Sequence, residues 1–232
     1  ISRGLDAMNY ACYQDARFMI VGTPSGISLA PEGGAHQSIG TPLIGISQPG
    51  LLSFEPAFAD ELALIMNYGF NYLQDEAGGS IYLRLTTRSI DQPMREIDNE
   101  LKNNIIRGGY WLKKPGSNPE VIIVYQGAVA SEAIESTALL GEKFKNSGVL
   151  SITSSDKLFH EWKNQNSTSH IELLLEGVPR DTRIITVIDG HPMTLSWIGS
   201  IYGHKTIPLG VSSFGQTGKV EDLFKEFTID SQ

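Results

Sequence analysis

The sequence predicts an α/β fold. Short continuous apolar runs, which are typical of buried strands, alternate along the chain with stretches whose apolar residues recur at helical spacing. With 232 residues, of which 41% are hydrophobic and 19% charged, the chain is long enough for one large domain or two ordinary ones. Strands that alternate with helices of this length favour parallel pairing through right-handed crossovers.

The first part of the chain predicts a helix, a strand, a second helix and a second strand. Residues 1–18 have helical character, and FMIVGT at 18–23 indicates a buried strand that runs into a glycine-rich stretch. Between residues 55 and 74 the apolar side chains share one helical face, and acidic residues near its start suit the helix dipole. The β-branched and aromatic run at 81–87 predicts the next strand.

Residues 89–120 lose this pattern and hold three prolines and a glycine pair, which indicates a boundary. We therefore expect one domain over residues 1–107 and a second over residues 108–232. The alternation then restarts and predicts strands at 121–127, 149–155, 184–189 and 207–213, and helices at 129–147, 156–165, 192–203 and 219–227.

Composition excludes several classes of protein. The net charge is −8, from 26 acidic and 18 basic residues, and no run of lysine or arginine exceeds two, so nucleic acid is not expected as a partner. The single cysteine, Cys12, forms no internal disulfide, and no apolar run approaches the length of a membrane span. We expect a cytoplasmic or organelle-matrix protein with no membrane partner. Because neither end has the features of a natural terminus, we also expect the chain to be part of a longer protein.

The stretch PEGGAHQSIGTP, residues 31–42, is the clearest candidate for chemistry. It follows a buried strand, and open α/β sheets build their sites at the carboxyl ends of strands. Gly33 and Gly34 permit positive φ and a close approach of the backbone, which lets Glu32 and His36 face one cavity. A histidine beside a carboxylate suits proton transfer or the binding of a hydroxyl or carbonyl oxygen. The alternative is a turn whose glycines serve geometry and whose histidine bonds locally.

PEGGAHQ resembles the E-D-G-P-T-H-Q segment of transketolases, which places an acidic residue and a histidine on the sugar substrate. By position, these residues are Glu32 and His36. Further segments resemble the family in the same order along the chain: LRLTTRS at 83–89, RGGYWL at 107–112, VIIVYQGAVASEA at 121–133 and SSFGQTGKVEDLFKEF at 212–227. The resemblance implies a partial pyrimidine-binding domain with a parallel sheet, followed by a transketolase C-terminal-like α/β domain.

Within this thiamine-diphosphate-dependent superfamily, the sequence is most similar to the homodimeric pyruvate dehydrogenase first component. That similarity rests on LAPEGGAHQSIGTPLIG at 29–45, FEPAFADELALIM at 54–66 and YLRLTTRSIDQP at 82–93. It implies decarboxylation of pyruvate or another 2-oxo acid, with acyl transfer to the lipoyl domain of an acyltransferase component, in a homodimer. Two alternatives stay open: a transketolase that moves two-carbon ketol units between sugar phosphates, and a noncatalytic dimerisation or docking module.

The resemblance also assigns roles to single residues. His36 takes the catalytic histidine's place and transfers a proton, while Glu32 orients it. Gln37 and Arg88 are the expected substrate-binding residues. Arg88 matches the arginine that holds the substrate's anionic end, and an internal ion pair is an equally weighted alternative for it. The departures from the transketolase pattern, at Glu32 and in the TRSI segment, disfavour a ketose phosphate.

The full-length enzymes of this superfamily use thiamine diphosphate and Mg²⁺, held by a G-D-G motif in a separate upstream domain. No G-D-G occurs in this sequence. We therefore expect the cofactor-binding residues to lie upstream of Ile1, and no cofactor to bind tightly to this chain alone. No pair among the five histidines has the spacing of a zinc site, so no metal site is expected either.

Overall fold

The computed structural model describes residues 1–23, 26–141, 143–164 and 166–232, and they form two β-sheets flanked by helices. The strands are β1 (Met19–Gly22), β2 (Leu51–Phe54), β3 (Ser80–Arg84), β4 (Gly109–Lys113), β5 (Val121–Gln126), β6 (Gly148–Ile152), β7 (Arg183–Ile188) and β8 (Thr206–Leu209). The α-helices are α1 (Leu5–Tyr13), α2 (Thr41–Ser47), α3 (Ala59–Tyr72), α4 (Asn99–Arg107), α5 (Ala130–Leu140), α6 (Ser155–Asn164), α7 (His170–Leu175), α8 (Met193–Ser196) and α9 (Val220–Glu226). Short 3₁₀ helices span Ser2–Gly4, Gly26–Glu32, Gly127–Val129 and Trp197–Ser200.

The first sheet, which we call sheet A, has the strand order β1-β3-β2 and is entirely parallel. The second, sheet B, has the order β4-β6-β5-β7-β8, and β4 runs antiparallel to β6 while the other pairs are parallel. The predicted α/β class is therefore confirmed, and the strands that the sequence predicted pair in parallel, whereas β4, which was not predicted, is antiparallel. This strand enters sheet B directly after α4 and not through a crossover from another strand of that sheet, so the crossover rule does not constrain its direction.

The segment 89–120 was expected to be irregular, but it contains α4 and β4. Helix α4, NELKNNIIR, has only three apolar residues, Leu101, Ile105 and Ile106, of which Ile105 alone is buried, so the segment has the polar composition of a linker. Both ends of the helix do carry capping residues, Asp98 and Gly108. The Asp98 side chain accepts a hydrogen bond from the Leu101 N–H at 2.7 Å, and Gly108 ends the helix with φ 115°. Helices α2 and α7 and strand β2 were not predicted either, because each is too short to establish a period.

Strand β5 is the centre of sheet B, and both of its faces are buried. Ile123 and Tyr125 face a layer that contains α5 and α9, whereas Ile122 and Val124 face a layer that contains α6, α7 and α8. This two-sided burial is the reason for the continuous apolar run in the sequence. The first of these layers also includes Ile27 and Phe58, which precede sheet B in the chain, so the two sheets share one core.

A buried ion pair joins the two sheets. Arg84, at the end of β3, is 2% exposed and its Nη1 donates a hydrogen bond to the Glu55 carboxylate, which follows β2. From sheet B, the Gln126 amide donates to Glu55 Oε2 at 2.9 Å, and the Asp189 carbonyl oxygen accepts from Arg84 Nη2 at 2.7 Å. Burial raises the pKa of Glu55, and the positive charge of Arg84 opposes that rise. Glu55, at the acid-rich start of the segment that leads into α3, thus contacts strand ends of both sheets.

Among the described residues, none of the helices combines the length and the apolar character that crossing a bilayer requires.

The first prediction concerns this ion pair. Arg84→Met leaves the Glu55 carboxylate buried without its cation, so we expect the free energy of unfolding to fall by about 3 to 5 kcal/mol. Urea denaturation followed by circular dichroism measures the change. Arg183→Met, at an exposed arginine of β7, is the matched control and is expected to change stability little. Equal effects of the two substitutions would show that the ion pair does not hold the sheets together.

The second prediction concerns pH. Asp156, in α6, accepts a hydrogen bond from the Ser53 N–H of β2 at 2.8 Å and lies 3.2 Å from His160 Nε2. Burial raises its pKa from 3.8 to about 6, although the Ser53 N–H and His160 oppose the rise. The folded state therefore retains a proton that the unfolded state loses, and stability falls as the pH rises from about 4 to about 6.

Asp156→Asn stays neutral and retains an acceptor for Ser53, so this part of the decline should vanish. We expect the variant to gain about 2 to 3 kcal/mol relative to the parent chain between about pH 4 and about pH 7. Denaturant unfolding at intermediate pH values measures the difference, with the exposed Asp91→Asn as control. Parallel stability curves for the parent and Asp156→Asn would contradict the prediction.

Candidate functional site

The carboxyl ends of strands from both sheets meet at one place. Arg84 ends β3 and Glu55 follows β2 in sheet A, while Gln126 ends β5 and Asp189 follows β7 in sheet B. All four side chains are buried. The loop that leaves β1 and carries residues 31–42 also starts at the carboxyl end of a strand, as the sequence predicted.

The loop begins with the 3₁₀ helix Gly26–Glu32, whose start is held by Asp189 from sheet B. Asp189 Oδ1 accepts a hydrogen bond from the Ile27 N–H at 2.7 Å, and Oδ2 accepts from the Ser28 N–H at 3.0 Å. Gly26 has φ 50°, and a Cβ at this position would lie 2.0 Å from Asp189 Oδ1. Only glycine permits both the backbone conformation and the approach of the carboxylate.

The far end of the loop packs against the segment that follows β8. A Cβ on Gly34 would lie 2.1 Å from the Gly215 carbonyl oxygen, and the Gln37 amide donates a hydrogen bond to the Gln216 carbonyl oxygen at 3.0 Å. Gly33 has φ 91°, which agrees with the positive φ that the sequence allowed for it. The glycines therefore serve close packing between the loop and sheet B's last segment.

Glu32 and His36 lie on either side of this glycine turn, and both side chains are exposed. The His36 backbone N–H donates to the Gly33 carbonyl oxygen at 3.1 Å, which closes the turn. No hydrogen bond or ion pair joins their side chains in the part of the chain that the structure describes. The loop thus presents both residues at the surface. That Glu32 orients the His36 imidazole stays a prediction.

Gln37, predicted to bind substrate, is buried beneath the loop. Its amide nitrogen is taken by Gln216, while its Oε1 is buried without a hydrogen-bond partner among the described residues. A buried acceptor of this kind is costly unless a donor reaches it. The role of Gln37 in substrate binding stays a prediction.

Arg88, the second predicted substrate-binding residue, makes an ion pair within the chain. Its guanidinium donates to both carboxylate oxygens of Glu132 in α5 and to the Ala128 carbonyl oxygen at 3.0 Å. It also stacks on the Phe224 ring, 4.7 Å from the ring centroid. The hydrogen bond to Glu132 raises the pKa of Arg88. Of the two roles considered for this arginine, the ion pair is the one that the geometry describes.

A small cavity of about 200 Å³ lies beside Arg88 and the start of α3. Polar groups and apolar side chains share its walls, and the polar groups belong to Thr86, Arg88 and Gln92. The apolar residues that line it include Phe58, Leu62, Leu85 and Ile90. This space has room for a small group rather than for an extended polar chain.

Sequence reasoning did not find Asp189, Arg84 or Glu132 as parts of this region. For Asp189 a signal was present, because an aspartate directly after the apolar run IITVI stands at the carboxyl end of a buried strand. Arg84 lies inside a strand pattern, where nothing distinguishes a buried arginine from an exposed one. Glu132 lies in a helix and reads as an ordinary exposed acid.

The described residues do not fit a magnesium site, because nowhere among them do three or more His, Cys, Asp or Glu side chains gather closely enough to hold a metal ion. The carboxylates at the strand ends are already committed, Glu55 to Arg84 and Asp189 to backbone N–H groups. The described residues therefore supply no ligand set for a metal ion.

The third prediction tests the packing of the loop. Gly34→Ala places a Cβ against the Gly215 carbonyl oxygen, so we expect a loss of about 1 to 3 kcal/mol in the free energy of unfolding. Gly40→Ala is the matched control in the same loop, since a Cβ there meets nothing within 4 Å. Denaturant titration of both variants measures the difference. If Gly34→Ala proved as stable as Gly40→Ala, the loop would not be seated on the segment that follows β8.

Comparison with known proteins gives consistent relatives. The chain is 25% identical over 231 residues to the pyruvate dehydrogenase E1 component of Escherichia coli, covering 94% of this chain and 26% of that protein. It is 26% identical over 208 residues to transketolase 1 of Candida albicans, covering 89% of this chain and 27% of that protein. The chain thus spans about a quarter of the length of these curated relatives.

Among solved structures, a transketolase variant from Pichia stipitis superimposes with a TM-score of 0.77 at 22% identity, over 99% of this chain and 31% of that one. This likeness supports the fold. The family described as the transketolase-like TK C-terminal domain matches residues 108–230, more than half of the chain. The match contains all of sheet B and helices α5 to α9. The chain therefore belongs to the transketolase-like C-terminal domain family.

Proposed function

We propose that the chain works as part of a longer thiamine-diphosphate-dependent enzyme that decarboxylates pyruvate or a related 2-oxo acid. The acyl group is then passed to the lipoyl domain of an acyltransferase component, and the enzyme acts as a homodimer. Relatives named pyruvate dehydrogenase E1 component cover 94% of the chain, which supports this assignment. Relatives named transketolase have similar sequence identity to this chain, so the choice between the two functions depends on the site.

The observation that carries the choice is the ion pair of Arg88 with Glu132. A sugar phosphate needs a cation for its phosphate, and Arg88 holds the position where transketolases would place one. Here the guanidinium is occupied by Glu132, the Ala128 carbonyl oxygen and the Phe224 ring. Since an arginine with a bidentate carboxylate partner has little capacity left for a second anion, the arrangement favours a substrate without a phosphate.

The neighbouring cavity agrees with a small substrate. It measures about 200 Å³, and polar groups of Thr86, Arg88 and Gln92 share its walls with apolar side chains. Its size supports a small substrate such as pyruvate, and its lining accepts polar as well as apolar parts of a ligand.

In this proposal His36 donates or accepts a proton at the oxygen of the reacting 2-oxo group. Its exposed position on a glycine turn leaves the imidazole open to substrate and to a partner domain. Glu32, on the other side of the turn, orients the ring once substrate closes the site. Thiamine diphosphate, when bound by the full-length protein, supplies the electron sink for decarboxylation. Gln37 binds substrate in this proposal, because its Oε1, buried beneath the loop, has no hydrogen-bond donor among the described residues and can accept a hydrogen bond from the substrate.

The second candidate function is that of a transketolase. It is favoured by relatives named transketolase 1, which are 26% identical in Candida albicans and 25% identical in Escherichia coli. A noncatalytic docking or dimerisation module is the third candidate, and it requires that the full-length protein lack activity with both kinds of substrate.

The fourth prediction tests the proposal in the full-length protein with thiamine diphosphate and Mg²⁺ added. We expect release of carbon dioxide from pyruvate and acetylation of a lipoyl domain, with no ketol transfer from xylulose 5-phosphate to ribose 5-phosphate. His36→Ala should lower kcat by a factor of about 10² or more, the usual contribution of a general acid or base. His160→Ala, at an exposed histidine of α6, is the matched control and should retain activity.

Three results would speak against the proposal. Ketol transfer without pyruvate decarboxylation assigns the protein to the transketolases. Pyruvate decarboxylation that survives His36→Ala removes the catalytic role of this residue. Inactivity with both substrates, in a protein that folds, supports the docking module.

A further inference from the structure

Asp189 is a buried carboxylate that the proposed chemistry does not use. It follows β7 in sheet B, is 0% exposed, and lies among groups that belong mostly to sheet A and its loops. Burial raises the pKa of Asp189, and the charge of Arg84 with the backbone N–H groups of Ile27 and Ser28 opposes that rise. A carboxylate in such a place is retained only if its hydrogen bonds matter to the fold or to the function.

The contacts of Asp189 converge on the loop of the candidate site. Its two carboxylate oxygens accept separate backbone N–H groups, from Ile27 at 2.7 Å and from Ser28 at 3.0 Å. These residues begin the 3₁₀ helix that ends at Glu32, four residues before His36. The partners are 162 and 161 residues apart in the chain, so the contact fixes the loop against a distant strand.

The surroundings keep the carboxylate in this position. The Asp189 carbonyl oxygen accepts a hydrogen bond from Arg84 Nη2 at 2.7 Å, which fixes the backbone of the residue to the end of β3. Gly26 leaves the space that Oδ1 occupies, because a Cβ there would lie 2.0 Å from it. At the other end of the loop, Gln37 is fixed to Gln216. The loop is therefore fastened at both ends to the part of the chain that carries sheet B.

We propose that Asp189 is a positioning residue, which fixes the loop that carries Glu32 and His36 by accepting the backbone N–H groups of Ile27 and Ser28. The inference rests on the proposed function only for the catalytic consequence, since the fixing of the loop is a structural claim that stands by itself. It gives the transketolase-like C-terminal domain a direct part in arranging the site. Hydrogen bonds from backbone N–H groups to a carboxylate are the strong kind, which suits a residue that must hold a surface loop in one conformation.

The test uses Asp189→Asn in the full-length protein, with Asp181→Asn at an exposed aspartate of the same domain as control. An asparagine presents an N–H group to one of the two loop donors, so one hydrogen bond is lost. Amide hydrogen exchange is the first readout. We expect the amides of Ile27 and Ser28 to exchange faster by about tenfold or more, while the amides of β5 keep their rates.

The second readout is catalytic and uses the substrate that the full-length protein turns over. Asp189→Asn should lower kcat by about tenfold or more with little change in KM, because it loosens the part of the loop before His36, while Gln37 keeps its hydrogen bond to Gln216. In the double variant with His36→Ala, activity should equal that of His36→Ala alone, since a residue that acts only through His36 adds nothing once the imidazole is gone. A purely structural loss would lower the activity of His36→Ala further.

Gly26→Ala provides a second route if Asp189→Asn fails to fold, because its Cβ pushes the loop away from an unchanged carboxylate. Unchanged exchange at Ile27 and Ser28 in the folded variants overturns the proposal, and so does faster exchange with unaltered kcat. If the parent protein turns over neither pyruvate nor a sugar phosphate, the proposed function fails, and the exchange rates alone then decide whether Asp189 holds the loop.

Discussion

The ion pair between Arg84 and Glu55 is the interaction on which the rest of the structure depends. Both charges are taken out of water, and a buried charge is tolerated only when its partners are complete. Besides the ion pair, Arg84 donates a hydrogen bond to the Asp189 carbonyl oxygen, and Glu55 accepts one from the Gln126 amide. Each charge in sheet A thus requires a strand end of sheet B at a defined place. The carboxyl ends of the two sheets are brought together by this requirement, and the loop after β1 lies where they meet.

Other polar contacts, most of them buried, repeat the same arrangement around this junction. Arg88 reaches Glu132 in α5, Asp156 in α6 accepts the Ser53 N–H of β2, and Glu61 in α3 accepts the Tyr110 hydroxyl of β4. The apolar layer between α5 and sheet B includes Ile27 and Phe58 from the first part of the chain. The two sheets therefore behave as one folded body in which polar contacts set the register and apolar burial supplies the stability. The conformation of the loop after β1 therefore depends on a strand end of the other sheet, through the hydrogen bonds that Asp189 accepts from Ile27 and Ser28.

The sequence predicted those parts of the fold that have a long and uniform pattern. Strand β5 was evident because both of its faces are buried, and α3 because its apolar residues share one face. Strand β2, with four residues, was missed, whereas β8, which is equally short, was predicted; α4 was missed because only three of its nine residues are apolar. For the candidate site, the sequence pointed to Glu32 and His36 because they lie in one short segment. The partners of Asp189 and Arg84 could not be found, since hydrogen bonds across 162 and 105 residues are decided by the tertiary fold and leave no local spacing in the chain.

The order of sheet A has a consequence for how this chain behaves in solution. Strand β1 lies at the edge of a three-stranded parallel sheet, and Val21 on that strand is 52% exposed. Parallel sheets are normally covered on both faces and flanked by further strands, so an edge of this kind offers a row of backbone donors and acceptors to any extended peptide. Whether another strand, from the same polypeptide or from a neighbour, covers that edge therefore decides whether β1 is open to pairing with a second molecule.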